Sequence, residues 1–231
     1  MGRLITTFCL LLMCFTTMKA QDEKYTPNCP IHIIIALDFS ASELGFVHKL
    51  QQALTGISKK FELHPTILKI GIITFNRGAD IVLPLTGESD KLDEAINALS
   101  NPYMVFATDI HAAFESAYFD FKNNSVPGIP KYLVLVSDGD PHAHLRGRGF
   151  QQDLINADFL KKGNLEDRME PIHIISLYSG QETEDENDFD EHIRMESMNH
   201  MRRLASDASS YYNFNELPSL VNFFVKISSC M

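Results

Sequence analysis

Between Ile31 and Leu37 the chain is apolar at every position except His32, and the run stops at Asp38. Seven residues rich in β-branched side chains are too short for a buried helix and fit a central strand covered on both faces. The next apolar positions, Val47, Leu50, Leu54, Ile57 and Phe61, fall three and four apart and mark one face of a helix, which Pro65 ends. Leu68–Phe75 predicts a second strand, Asn76-Arg77-Gly78 a turn, and Ala79–Leu83 a short third strand closed by Pro84, a placement suited to a sheet edge. Leu92, Ala95, Ile96 and Leu99 predict a short helix that ends at Asn101-Pro102. From Ile110 a longer stripe, Ala113, Phe114, Ala117, Tyr118 and Phe121, predicts another, with Thr108 or Asp109 in the capping position. After the turn residues 127–130, strand Tyr132–Val136 repeats the opening pattern and stops at Ser137-Asp138-Gly139-Asp140. A helix around Gln151–Lys161, a strand Ile172–Leu177, a helix through Met198, Met201, Leu204 and Ala205, a strand Tyr211–Phe214 and a helix from Leu217 that ends at Cys230 complete the series. This alternation predicts an α/β fold: a doubly wound, mostly parallel six-stranded sheet flanked by helices, with right-handed crossovers.

The first twenty residues fall outside that pattern. Arg3, the apolar stretch Leu4–Met18 and the small Ala20 read as a signal peptide over residues 1–20. Residues 21–231 are then expected to be one domain, with its core at about 29–230, secreted and extracellular, and not inserted in a membrane. Cys9 and Cys14 leave with the signal peptide. Cys29, two residues before the first strand, and Cys230, one residue before the last, remain. An oxidising compartment would let them tie the ends together; two separate buried thiols are the alternative. Asn123-Asn124-Ser125 is the one glycosylation sequon, with Asn123 as acceptor. The chain carries a net charge of −10, and removal of Arg3 and Lys19 leaves 18 basic against 30 acidic residues. Nucleic acid and anionic membranes are poor partners for such a surface.

The chemistry gathers where apolar strands end in oxygen donors. Asp38, Ser40 and Ser42 follow the first strand, and in open parallel sheets the carboxyl ends of the strands are where ligands collect. A carboxylate with two hydroxyls suits magnesium, manganese or calcium rather than zinc or copper, although Asp and Ser in this position also cap helices. Asp138 adds a second carboxylate at a strand end, and Asp109 and Asp140 are either acceptors around it or capping and turn residues. His142 and His144 share a loop, His32 and His173 are expected to be satisfied core residues, and the acidic stretch Glu182–Glu191 follows a strand onto the same rim.

Asp38-Phe39-Ser40-Ala41-Ser42, Thr108 followed by Ala112-Ala113-Phe114, and Asp138-Gly139 together resemble the von Willebrand factor type A, or integrin I-like, domain. The resemblance runs over nearly all of residues 21–231 and implies a Rossmann-like fold with a metal-ion-dependent adhesion site. It implies that Ser40 and Ser42 ligate the ion directly, while Asp38, Thr108 and Asp138 do so directly or through water. The ion would be Mg2+, or Mn2+ or Ca2+, with a position left for an Asp or Glu carboxylate of an extracellular protein. One departure is that Phe106-Ala107 precedes Thr108 where the family carries glycine. The flanking Cys29 and Cys230 resemble those type A domains whose ends are clipped together, and such a clip implies a fixed affinity. The function implied is a secreted, cation-dependent protein-binding and adhesion module, not an enzyme. A metal-independent interaction domain is the alternative. A magnesium phosphohydrolase fits less well because Ser40 stands where that chemistry places an acid, and no nucleophile elbow, phosphate-binding glycine loop or His-Glu-x-x-His is present.

Overall fold

The computed structural model describes residues 24–40, 47–99, 107–140, 146–164, 166, 168–180 and 188–229. Six strands, β1 (Ile31–Asp38), β2 (Leu68–Phe75), β3 (Ala79–Thr86), β4 (Lys131–Ser137), β5 (Ile172–Tyr178) and β6 (Tyr211–Asn213), form one sheet in the order β3-β2-β1-β4-β5-β6. All neighbours are parallel except β2 and β3. The helices are α1 (Val47–Lys60), α2 (Ser89–Ala98), α3 (Ile110–Asn124), α4 (Arg146–Lys162), α5 (Asp188–Leu204) and α6 (Leu217–Ile227). The architecture is the doubly wound, Rossmann-like α/β fold that the sequence pattern predicts.

Strand β1 is buried along its whole length, which explains why its sequence does not alternate. Ile33, Ile35 and Leu37 pack with Leu50 and Leu54 of α1, Leu92 of α2 and Phe224 of α6. Ile34 and Ala36 face the other way, into a layer with Ile110 and Phe114 of α3, Leu160 of α4 and Met201 of α5. With both faces covered, only the strand ends can present polar groups to a ligand.

Several boundaries differ from the pattern. Helix α1 stops at Lys60, because Phe61 leaves it to form a bridge with Tyr25, so Pro65 is not its terminator. Strand β3 runs through Pro84 to Thr86: the strand is an edge, its register against β2 shifts near this point, and the Leu85 N–H finds the Asp120 carboxylate (3.0 Å) instead of a strand. Helix α4 begins at Arg146, ahead of Gln151, and α5 begins at Asp188, so part of the acidic stretch is helical. Phe214 opens a single 3-10 turn after β6. Asp109, not Thr108, caps α3, its carboxylate accepting from Ala112 N (3.0 Å).

The strand histidines depart from expectation. His173 is half-buried rather than core, with Nε2 2.7 Å from Ser210 Oγ. His32 is fully buried, yet neither ring nitrogen has a hydrogen-bond partner among the described residues.

Asn28 N and Cys29 N both donate to Ser228 O (2.8 and 2.9 Å), which brings the start of the core beside the end of α6. Cys230 and residues 1–20 lie outside the described residues. No described helix is long and apolar enough to cross a membrane.

Candidate metal centre

The site is built at the carboxyl ends of β1 and β4, the two central strands. Asp38 is the last residue of β1 and is buried. Its Oδ1 accepts from Ser40 N (2.8 Å), which turns the chain sharply after the strand and buries Ser40 beside it. Its Oδ2 accepts from Ser137 Oγ (2.6 Å), the last residue of β4. Ser137 Oγ in turn accepts from Gly139 N (2.9 Å), and Asp138 Oδ1 accepts from Asp140 N (3.1 Å). One hydroxyl therefore joins the first and third loops, and Asp138 is presented next to Asp38.

Thr108 reaches the same end of the sheet by a different route. Asp109 N donates to Asn76 O (2.7 Å), just past the end of β2, and Phe39 N donates to Phe75 O (2.7 Å). The second loop is thus tied to β2, and β2 to the first loop. Thr108 is half-buried there, and its hydroxyl makes no hydrogen bond among the described residues. Ser42, His142 and His144 lie outside the described residues. Asp109 acts as a helix cap, and Asp140 is held by the turn on Asp138.

The electrostatics follow from this burial. Removal from water, reinforced by the charge of Asp138, pushes the Asp38 carboxyl up to about 7, against the stabilising hydrogen bonds from Ser137 and Ser40. No basic side chain among the described residues contributes to offset Asp38. Two acids placed together at the strand ends fit a hard cation, and the donor set of carboxylates and hydroxyls suits magnesium, manganese or calcium. Among the described residues no group of three or more His, Cys, Asp or Glu side chains is placed to hold an ion, so a metal here would depend on hydroxyl ligands.

Nothing in the sequence Ser137-Asp138-Gly139-Asp140 singles out Ser137. Its role depends on a partner 99 positions away. Gly139 has φ +71°, and a Cβ there would lie 2.6 Å from Met201 Cγ and 2.9 Å from Ser197 O. The third loop is therefore seated directly on α5. On the same rim, beyond β5 and β6, a cavity of ≈ 570 Å³ is lined by Lys49, Tyr178, Arg194, Asn213, Asn215 and Glu216, among others.

Residues 33–140 match the family model of the von Willebrand factor type A domain. No curated protein matches the chain in sequence. Solved structures with the same fold include BatB from Bacteroides thetaiotaomicron, with TM-score 0.57 and 18% identity over 86% of this chain and 98% of that one. Pilus adhesin SpaC from Lactobacillus rhamnosus GG superposes with TM-score 0.62 and 13% identity over 89% of this chain and 31% of SpaC. Proximal thread matrix protein 1 from the mussel byssus, solved with a zinc-occupied MIDAS motif, gives TM-score 0.61 and 13% identity over 87% of this chain and 49% of that protein. The chain thus spans under a third of SpaC and about half of the mussel protein. A strand-end Asp-x-Ser, a second strand-end Asp and a sheet ordered 3-2-1-4-5-6 agree with the sequence match, and residues 33–140 are identified as a von Willebrand factor type A domain.

Proposed function

We propose that this protein is a secreted, divalent-cation-dependent protein-binding module. The observation that carries the reading is the buried Asp38 beside Asp138, with no base among the described residues to offset Asp38. Ser40 and Ser42 would hold the ion directly, and Asp38, Thr108 and Asp138 directly or through water. When bound, the ion supplies a Lewis acid that accepts an Asp or Glu carboxylate from an extracellular partner. Mg2+ suits the hydroxyl-rich donor set, with Mn2+ or Ca2+ as substitutes; the zinc-occupied motif of the mussel protein supports a divalent ion at this position of the fold. Ser137 fixes the Asp38 carboxylate, and the cavity beyond β5 offers flanking residues of the partner a place to rest. The reading extends to residues 21–231 as one exported domain, clipped by a Cys29–Cys230 bridge and glycosylated at Asn123. The Ser228 carbonyl shared by Asn28 N and Cys29 N supports the clip.

A second reading, metal-independent interaction, is favoured by one feature. Both Asp38 oxygens already accept hydrogen bonds, and a carboxyl raised to about 7 holds a proton in place of a cation at mildly acid pH. Immobilising the secreted chain and panning extracellular proteins with Mg2+ or with a chelator separates the two. Binding that is lost in the chelator and restored by Mg2+ is expected, whereas partners retained equally in both would overturn the cation-dependent reading.

A further inference from the structure

Helices α3 and α4 expose an aromatic face on the side of the sheet away from α1. Phe119 is 48% exposed, Phe159 44% and Ile155 54%. Tyr118 joins the two phenylalanines, its ring centroid 5.6 Å from Phe119 and 5.5 Å from Phe159. A cavity of ≈ 240 Å³ opens between them. A contiguous apolar patch of this kind on an exported domain is expected to be covered.

The sequon lies on the same face. Asn123 is on α3, one turn beyond Phe119, and Cβ atoms four residues apart on a helix are about 5–6 Å from each other. Helical side chains lean toward the N-terminus, so whatever residue 123 carries lies over the turn that holds Phe119. The neighbouring pair shows this lean: Lys122 reaches back over the Tyr118 ring, with Nζ 5.8 Å from its centroid. Asn123 is exposed and its amide makes no hydrogen bond among the described residues, whereas Asn124 is held by Asp120 Oδ1 (2.6 Å).

We propose that the first sugars of an N-linked glycan on Asn123 lie on the Phe119–Phe159 face and shield it. The proposal rests on the export and glycosylation reading above. The donor is an oligosaccharide on a lipid pyrophosphate. Its C1–oxygen bond breaks, a bond from C1 to Asn123 Nδ2 forms, the amide proton passes to the transferring enzyme's base, and the lipid pyrophosphate leaves. The C–H face of the first pyranose, slightly positive, then meets the negative face of the Phe119 ring.

The test is a cycle of four full-length chains secreted from eukaryotic cells, wild type, Asn123→Gln, Phe119→Ser and the double variant, with Phe119→Tyr and Phe119→Tyr/Asn123→Gln as the ring-preserving controls. Phe119 is half exposed, so its variants keep the core. Intact mass reads the glycan, thermal unfolding reads its contribution, and binding of an apolar fluorescent dye reads the patch. The expected result is a glycan on wild type, loss of about 2–4 °C in Tm and a gain of dye binding on Asn123→Gln. The same Asn123→Gln change should leave Tm unmoved in the Phe119→Ser background and repeat its loss in Phe119→Tyr. An unglycosylated wild type overturns the sequon reading and the shield with it. A glycan whose Tm contribution persists in Phe119→Ser, or a patch that binds dye equally with and without the glycan, overturns the shield alone and leaves that face to a protein partner.

Discussion

His32 makes the stability of this domain acid-sensitive. It sits in the middle strand, level with Lys69 of β2 and Lys131 of β4, whose ammonium groups oppose a third positive charge. The acids nearby are already engaged: Glu170 pairs with Lys131, and Asp120 accepts from Leu85 N and Asn124. Burial first, and then the two lysines, lower the imidazole from its ordinary 6.5 to about 4. With the folded value depressed, the unfolded chain takes up a proton below 6.5 that the native state refuses. The His32 contribution to stability is therefore intact above pH 6.5, declines as pH falls toward 4, and is flat below that. At 1.36 kcal/mol for each pKa unit the loss amounts to about 3 kcal/mol. Urea unfolding of wild type and His32→Leu at intervals between pH 7.5 and 4 reads the difference, and other titrating groups cancel in the comparison. Leucine also removes two unpartnered buried nitrogens, so the variant should be at least as stable at neutral pH and should lack most of the acid slope. Equal slopes in the two proteins would refute the reasoning.

The metal loops yield further expectations. Ser137→Ala deletes the hydroxyl that links Asp38 to the third loop, costing about 1–3 kcal/mol in chemical unfolding and about 10–100-fold in cation affinity by calorimetry. Gly139→Ala forces a Cβ against Met201 and Ser197 O at a positive φ, so it should lower stability by more than about 1 kcal/mol; measured against a Met201→Ala background, the same change should cost less but not nothing, because the backbone contact and the φ remain. Reduction of a Cys29–Cys230 bridge should lower Tm and raise non-reducing gel mobility differences, whereas an unchanged Tm with two alkylatable thiols in the untreated protein would exclude the clip.

Much of this was legible because the central strands are buried on both faces, so that β1, β2, β4 and β5 announce themselves as short apolar runs. The ends of those runs marked Asp38 and Asp138, which the fold brings together. Less legible was everything decided by distant partners. Ser137 is a plain strand-end residue in sequence, and only the pairing of β4 with β1 brings its hydroxyl to Asp38. The choice between Thr108 and Asp109 as a cap turned on which side chain reaches Ala112 N. Pro84 suggested a strand end, but an edge strand with a side-chain carboxylate to receive Leu85 N passes through it. For His32, burial followed from its apolar neighbours, while the lack of hydrogen bonds depended on what two other strands placed beside it.

The central claim is that buried, unneutralised Asp38 belongs to a cation site. Its most direct test is calorimetric titration of Mg2+ and Mn2+ into chelator-treated protein comprising residues 21–231, beside Asp38→Ala. The account predicts saturable one-site binding in the wild type and none in the variant. Binding that survives Asp38→Ala, or no binding at millimolar ion with a correctly folded wild type, would contradict it.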